Sequence, residues 1–156
     1  QADIRYRVAW LNNPQVNAYL GDEIKKASLK SETEWFKKYK QDKSKKFFTI
    51  FYGATRIGLV GLTHIEKRAK KAELFVMIGE DKFRGQGFGR LSVEFIVNYA
   101  FKKLKLRKVA LGVFQENKIA IKTYRAVGFE KEGILKDEAY FKGRFHSLIL
   151  MAIFNK

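Results

Sequence analysis

The sequence predicts a single domain of mixed α/β class, with helices and strands alternating along the chain. Two observations lead to this prediction. The 156 residues are enough to enclose one hydrophobic core, and no internal repeat or Pro/Ser-rich linker divides them. The spacing of apolar residues also switches several times between the period of a helix and that of a strand. One domain over residues 1–156 is therefore expected.

The N-terminal third is predicted to be mainly helical. A first helical stretch over residues 3–20 breaks at Asn12-Asn13-Pro14, because a proline cannot take part in the hydrogen bonding of a continuous helix. A second helix is expected to open at Ser31, since Ser31 and Glu34 have the spacing of a capping box.

A meander of three strands is predicted next. Residues 47–52 and 57–65 are rich in aromatic and β-branched side chains, and a turn at Gly53 separates them. Residues 71–79 contain an almost wholly apolar run, which is typical of a strand that is buried on both faces.

The second half alternates helix and strand. Residues 89–104 have helical spacing and residues 108–114 return to a strand pattern, so a crossover between parallel strands is predicted. Asn117 is a suitable N-cap for a short helix over residues 118–127. The tail, residues 138–154, is predicted to form two strands around a tight turn.

Composition excludes several classes of protein. The chain has no Cys, which excludes a disulfide-stapled scaffold, a thiolate zinc site and a cysteine nucleophile. No apolar run reaches the roughly 18 residues of a membrane span, and the N-terminus lacks the pattern of a signal peptide. A cytoplasmic location is therefore expected.

The net charge is +16, from 32 Lys and Arg against 16 Asp and Glu. Such a field raises the local concentration of anions, so nucleic acid, an acidic membrane surface and a phosphorylated cofactor are candidate partners. Most of the lysines lie in solvated-looking runs, and a generic basic surface is the simpler explanation for any one run.

A glycine-rich loop joins the buried strand to the long helix, with the sequence Phe83-Arg84-Gly85-Gln86-Gly87-Phe88-Gly89-Arg90. Glycines let a backbone approach a ligand closely, and the free N–H groups of a helix N-terminus favour an anion. Arg84 and Arg90 can add charge-assisted hydrogen bonds. The loop is therefore predicted to bind phosphate.

The better-known phosphate loops do not fit these residues. A Walker A loop would end in Gly-Lys-Ser/Thr, where this chain has Gly89-Arg90-Leu91. A dinucleotide fingerprint would space its glycines as Gly-x-Gly-x-x-Gly and would have a carboxylate about 20 residues further on. An ordinary glycine-rich turn between strand and helix stays open as the structural alternative.

Two patterns then occur in order along the chain. The first is Arg84-Gly85-Gln86-Gly87-Phe88-Gly89, and the second runs from Asn117 through Ala120 and Tyr124 to Gly128-Phe129. The first matches Arg/Gln-x-x-Gly-x-Gly/Ala and the second resembles Asn-x-x-Ala-x-x-x-Tyr-x-x-x-Gly-Phe. Both are signatures of the GNAT superfamily of acetyl-CoA-dependent N-acetyltransferases. Residues 10–16, 72–74 and 147–153 look like its RimJ/RimL-like branch.

This resemblance covers nearly the whole chain and implies the GNAT fold, a central, twisted, mixed and mostly antiparallel sheet flanked by helices. It implies an acyltransferase that uses acetyl-CoA as co-substrate and no metal. Members of this branch usually have a strand before the position of Asp3. If that strand is missing, one edge of the sheet is shortened.

The resemblance also assigns the cofactor contacts. The residues predicted to hold the pyrophosphate are Arg84, Gly85, Gln86, Gly87, Phe88, Gly89 and Arg90. The strand at residues 75–78 should splay from the strand at 109–114, with Met77 and Ile78 contacting the pantetheine amides. Asn117 is either an N-cap alone or an N-cap that also touches the cofactor.

Catalytic roles follow from the same resemblance together with acid–base chemistry. Tyr124 is predicted to protonate the departing thiolate, because a phenol is a usable acid for a thiolate. Glu73 is the first candidate for the base that deprotonates the amine, although an ordinary ion pair would explain it equally well. His64 and Glu80 are weaker candidates, and His146 is predicted to be a hydrogen-bonded structural residue.

No motif specifies the acceptor amine. The basic surface ranks an anionic acceptor, an amino-sugar nucleotide, first and the N-terminus of a ribosomal or other protein second. A non-catalytic basic module that binds nucleic acid is the alternative of another class, although no nucleic-acid-binding signature is present. The expected partners are coenzyme A and a small amine, with neither a membrane nor nucleic acid, and a homodimer is left open.

Overall fold

The computed structural model describes residues 3–20 and 26–156. In chain order the elements are α1 (Ile4–Asn12), α2 (Pro14–Asn17), α3 (Leu29–Gln41), β1 (Lys46–Tyr52), β2 (Thr55–Glu66), β3 (Lys71–Ile78), a 3-10 turn (Asp81–Phe83), α4 (Phe88–Lys102), β4 (Lys108–Phe114), α5 (Lys118–Val127), β5 (Glu130–Phe141) and β6 (Arg144–Phe154). None of the helices in these residues is long and apolar enough to cross a membrane.

The six strands form one sheet in the order β1-β2-β3-β4-β6-β5. The first three strands are the predicted antiparallel meander, and β3 pairs in parallel with β4 through the crossover helix α4. The pairs β4–β6 and β5–β6 are antiparallel. The predicted mixed, mostly antiparallel sheet flanked by helices is therefore confirmed.

Each face of the sheet carries its own core. On one face α4 buries Val93, Ile96 and Ala100, whose spacing places them on one side of the helix, and α5 adds Ile121. Burying a side chain such as Ile96 contributes roughly 1.5–3 kcal/mol, so this face anchors the helix that follows the glycine-rich loop.

The other face is covered by α1 and α2. Trp10, Leu11 and Val16 pack there against Leu59 of β2 and Met77 of β3. This second core fixes the N-terminal helices over the strand that leads into the glycine-rich loop.

Several element boundaries differ from the prediction, and two of the differences have a clear physical cause. Helix α3 begins at Leu29 rather than at Ser31, because Ser28 is the N-cap: its Oγ accepts from the N–H of Ser31 (3.1 Å), and the Ser31 hydroxyl accepts from the N–H of Ser28 (3.0 Å). Strand β5 begins at Glu130, eight residues before the predicted start at Glu138. It is an edge strand with nearly all of its side chains exposed, so it lacks the apolar alternation that reveals a strand in sequence.

Candidate active site

The centre of the sheet opens between β3 and β4. The two strands pair only where Lys71–Glu73 meet Lys108–Ala110, and from Leu74 to Ile78 the described part of β3 has no ladder to β4. Alternate backbone N–H and C=O groups along such an edge are left without strand partners. The predicted splay is thus present, and it offers an extended, amide-containing ligand a backbone edge to bind.

The glycine-rich loop lies at the wide end of this opening. Gly85 (φ +75°) and Gly87 (φ +88°) are both left-handed, and a Cβ at either position would meet no atom within 4 Å. Gly87 is also the N-cap of α4 and supplies no side-chain cap, so the first N–H groups of α4 are available to an anion. An open backbone at a helix N-terminus is suited to binding an anion.

The two arginines of the loop are already engaged by neighbouring side chains. Arg84 forms an ion pair with Asp81, and its Nη2 donates to Oε1 of Gln15 (2.9 Å). Arg90 pairs with Glu94 (2.8 Å) one turn along α4. These contacts orient both guanidinium groups, and the Arg84 contact ties α2 to the loop. Nothing in the sequence pattern pointed to Gln15 or Asp81.

Trp10 fixes α1 to the end of β3. Its indole lies against Gly79, where a Cβ would come within 2.2 Å of the ring, so only glycine fits. Its Nε1 donates to Oε1 of Glu80 (2.8 Å). Glu80, a weaker candidate for the base, therefore holds the helix in place through this hydrogen bond.

A second pair of side chains lies at the narrow end of the opening. Oε2 of Glu73 is 3.0 Å from Nδ1 of His64, and the two side chains are 58% and 72% exposed. They meet because β2 has a bulge, in which His64 and Ile65 oppose the single residue Ala72 and His64 takes a left-handed φ of +47°. Glu73 shares its face of β3 with Met77, the face that carries α1. The structure thus joins two residues that the sequence offered as separate candidates.

Tyr124 lies on α5, the helix that follows β4. Its half-buried ring packs against Phe129, with 5.8 Å between the ring centroids, and burial raises the pKa of Tyr124 to about 12. In the described residues its hydroxyl has no hydrogen-bond partner. Asn117 caps this helix, since its Oδ1 accepts from the N–H of Ala120 (3.1 Å), which confirms its N-cap role.

His146 is held as a structural residue, as predicted. It is buried, its ring stacks on Phe141, Nδ1 lies 3.2 Å from Oε1 of Glu116, and Nε2 lies 3.3 Å from the carbonyl oxygen of Phe141. A hydrogen bond from its own backbone and the contact with His146 lower the pKa of Glu116 below its usual range.

A cavity of about 260 Å³ lies between α1, α3 and the meander, and no pattern in the sequence predicts it. Arg7 and Trp35 both line this cavity, and Cζ of Arg7 lies 3.8 Å from the centroid of the Trp35 ring. The guanidinium of Arg7 also forms an ion pair with Glu32. The buried Nη1 of Arg7 has no hydrogen-bond partner among the described residues. Phe47, also in the wall, contacts Phe75, which is two residues from Glu73 along β3.

The family model described as "Acetyltransferase (GNAT) domain" matches residues 1–130 of the chain. Spermidine N(1)-acetyltransferase of Escherichia coli K12 is 31% identical over 152 residues, which are 97% of this chain and 81% of that protein. Acetyltransferase PseH of Campylobacter jejuni is 28% identical over 74% of this chain and 69% of its own length.

Among solved structures, the spermidine N-acetyltransferase of Vibrio cholerae in complex with CoA and spermine superimposes with a TM-score of 0.93 at 29% identity, over 99% of this chain and 90% of that one. The mixed sheet flanked by helices agrees with these matches. The chain belongs to the GNAT family and is an acetyl-CoA-dependent N-acetyltransferase.

Proposed function

We propose that this enzyme acetylates a primary amine of a polyamine. The observation that carries the proposal is the extent of the likeness to spermidine acetyltransferases. The likeness runs through the N-terminal helices, which cover the face of the sheet that carries Glu73, as well as through the glycine-rich loop and the rest of the chain. On charge alone the sequence ranks an amino-sugar nucleotide first. Net charge, however, acts mainly on long-range encounter and is screened beyond about 8–10 Å, so it does not decide what binds at the site.

Acetyl-CoA supplies an acetyl group activated as a thioester. The backbone of residues 84–90 would hold its pyrophosphate at the N-terminus of α4. Met77 and Ile78 offer their backbone groups at the open edge of β3 to the amides of the pantetheine arm. The side-chain amide nitrogen of Asn117 donates to none of the described residues and could also contact the cofactor.

The paired His64 and Glu73 are proposed to take the proton from the acceptor ammonium. A primary amine is protonated near neutral pH and attacks only after losing a proton. With its Nδ1–H donated to Glu73, His64 presents an unprotonated Nε2, and Glu73 fixes that tautomer. Histidine is suited to this step because an imidazole ordinarily changes charge between pH 5 and 8.

Tyr124 is proposed to donate its phenolic proton to the departing sulfur. The phenol is protonated throughout the physiological pH range, as an unshifted phenol with a pKa near 10 would also be, and no described residue accepts its hydrogen bond. The proton is therefore held ready for the leaving group rather than shared with a neighbouring side chain.

A nucleotide-linked amino sugar is the second candidate, and the Arg7 cavity favours it. Aromatic walls and a buried guanidinium nitrogen, from which no residue in 3–20 or 26–156 accepts a hydrogen bond, suit a planar ring that carries hydrogen-bond acceptors. The contact from Phe47 through Phe75 places this cavity on the face of the sheet that carries Glu73.

The test is acetyl-CoA turnover against a panel of amines, with spermidine, spermine, a uridine-diphosphate-linked amino sugar, an aminoglycoside and peptides that begin with Ser or Ala. Preferred turnover of the polyamines supports the proposal. Preferred turnover of the amino sugar supports the second candidate. Preferred turnover of a peptide would favour protein N-termini and overturn both.

A further inference from the structure

Much of the positive charge lies at one end of the sheet. Three connections meet there, residues 42–46 between α3 and β1, residues 66–71 between β2 and β3, and residues 102–108 between α4 and β4; we call them the basic end. Of these 18 residues, 12 are Lys or Arg and two are acidic. The whole chain has 32 Lys and Arg, so more than a third of them lie in about a ninth of its length.

Backbone hydrogen bonds join the three connections into one surface. The N–H of Ile65 donates to the carbonyl oxygen of Ser44 (2.9 Å), which links the first connection to the end of β2. The N–H groups of Arg107 and Lys108 donate to the carbonyl oxygen of Lys70 (2.7 and 3.1 Å), which links the second connection to the third. The basic runs, which are far apart in sequence, are therefore held side by side.

Few of these cations are neutralised by neighbours. Lys45 pairs with Asp42, Lys71 with Glu66, and Lys108 with Glu132. The other nine basic residues are exposed and have no carboxylate partner among the residues that the structure describes. They are Lys43, Lys46, Lys67, Arg68, Lys70, Lys102, Lys103, Lys105 and Arg107.

The backbone places lysines at two of these turns where other residues are usual. Lys70 (φ +51°) and Lys105 (φ +55°) both take the left-handed conformation that favours Gly or Asn. In this left-handed conformation a lysine is less favourable than a glycine by on the order of 1 kcal/mol of conformational free energy. Two left-handed positions of the basic end thus carry a charged residue instead of the glycine or asparagine that suits the turn.

The acetyl-CoA phosphates do not account for this surface. β3 runs from Lys71 at the basic end to Ile78, just before the glycine-rich loop. A strand of that length spans roughly 23 Å, whereas the Debye length at physiological salt is about 8 Å. The basic end therefore acts independently of the cofactor site.

We propose that the basic end binds the phosphate backbone of a nucleic acid. The connections cross the sheet from β1 to β4, roughly 15 Å at the usual spacing of strands. A nucleic-acid strand places a phosphate about every 3.4 Å of helix axis, so this surface faces about four phosphates on a strand. The sequence disfavours nucleic acid because its aromatic residues have the spacing of a core and no nucleic-acid-binding signature is present. Binding to a phosphate backbone by charge needs no such signature, and the fold joins basic runs that look like separate solvated faces in sequence.

The surface suits a nucleic acid better than a membrane. The three connections expose no large apolar side chain, since Leu106 is buried and Leu104 is half-buried. A polybasic patch without an apolar or lipid anchor supplies only one of the two signals that stable membrane attachment needs. Phe154, the exposed aromatic residue at this end, lies beneath the ammonium of Lys108.

The test compares two triple variants of equal charge. Lys67→Gln/Arg68→Gln/Lys103→Gln removes three cations from the basic end, and Lys26→Gln/Lys30→Gln/Lys136→Gln removes three exposed cations elsewhere. Binding to fluorescent mixed-sequence RNA and DNA duplexes of about 20 base pairs is measured by anisotropy over a series of salt concentrations. For DNA, the first triple should weaken binding roughly 100-fold and reduce the slope of log K against log salt by about 2–3. RNA should show the same order of loss.

The control triple should change affinity for either duplex less than about threefold, and both triples should bind acetyl-CoA like the parent. Equal losses in the two triples would reduce the effect to net charge and overturn the proposal. The proposal would also be overturned if the parent bound neither duplex, or if the parent bound phosphatidylserine vesicles more tightly than either duplex. A loss of duplex binding that occurs only in the basic-end triple supports the proposal, whichever amine the enzyme acetylates.

Discussion

Oε2 of Glu73 lies 3.0 Å from Nδ1 of His64, and Glu73 is the last residue of β3 that pairs with β4 before the two strands separate. A proton acceptor at this point stands where the open edge of β3 begins. The pair depends on a bulge in β2 that turns His64 toward Glu73. The same bulge gives His64 its positive φ, a feature that tends to occur next to active sites.

If His64 accepts the proton, His64→Gln should remove the acidic limb of the pH dependence of kcat/KM for an amine of high pKa. Glu73→Gln should lower kcat/KM roughly 10- to 100-fold but keep that limb, because His64, the group that accepts the proton, is still present. Initial rates between pH 5 and 9 measure both. A limb lost only in Glu73→Gln would make Glu73 itself the base, and unchanged profiles in both variants would leave the pair without a role.

Replacing Tyr124 by Phe keeps the ring against Phe129 and removes only the hydroxyl. Tyr124→Phe should lower kcat by roughly 10- to 10⁴-fold and leave acetyl-CoA affinity within a few-fold, as expected for loss of a general acid. Steady-state rates and calorimetric titration with acetyl-CoA test this. Parent rates at every pH would mean that another group protonates the sulfur.

The raised pKa of Tyr124 also predicts a pH dependence of stability. The unfolded phenol ionises near pH 10, whereas the folded one stays protonated to about pH 12. Its contribution is therefore complete below pH 10 and is lost as the pH rises toward 12. It amounts to about 2–3 kcal/mol in the free energy of unfolding. Between pH 9 and pH 11.5, urea unfolding should show the parent losing about 2 kcal/mol more than Tyr124→Phe, because the loss is not complete until the pH passes 12. Parallel losses would contradict the assignment.

The parts of the fold that local patterns determine could be predicted from sequence. Strand β4 and helix α5 have the predicted bounds, because a short apolar run and the Asn117 cap are local signals. The first eight residues of β5 could not be found, since their strand conformation comes from pairing with β6 and not from their own side chains. Contacts between residues that are distant in sequence also determine the arrangement of the site, so this arrangement could not be predicted from local patterns.

Three non-local features of the site illustrate this limit. His64 and Glu73 meet through a register shift, which no spacing along the chain reveals. The buried nitrogen of Arg7 and its cavity arise where two helices cross the meander. The glycine-rich loop, by contrast, could be predicted, because its conformation depends on residues that are adjacent in the sequence.

Gly87→Glu should abolish tight binding of acetyl-CoA. The site has open space around a left-handed glycine, so the new carboxylate would occupy the position proposed for the pyrophosphate and repel it. The matched control is Gly143→Glu, which has a similar φ of +77° and equally open surroundings in the β5–β6 turn. Calorimetry should show affinity reduced more than about tenfold only in Gly87→Glu. Equal affinities in the two folded variants would remove the phosphate site from the loop.

The acceptor can be identified by the sign of its salt dependence as well as by its rate. A net charge of +16 slows the approach of a polycation and speeds that of an anion, and added salt weakens both effects. If a polyamine is the acceptor, kcat/KM for spermidine should rise as salt increases and should exceed that for a uridine-diphosphate-linked amino sugar at least tenfold. Arg7→Met should then leave spermidine turnover nearly unchanged, because the Arg7 cavity serves only the second candidate. A kcat/KM that falls with salt, together with preferred turnover of the amino sugar and its loss in Arg7→Met, would assign the acceptor site to the nucleotide sugar instead. In either outcome the enzyme remains an N-acetyltransferase, since the family assignment does not depend on which amine is bound.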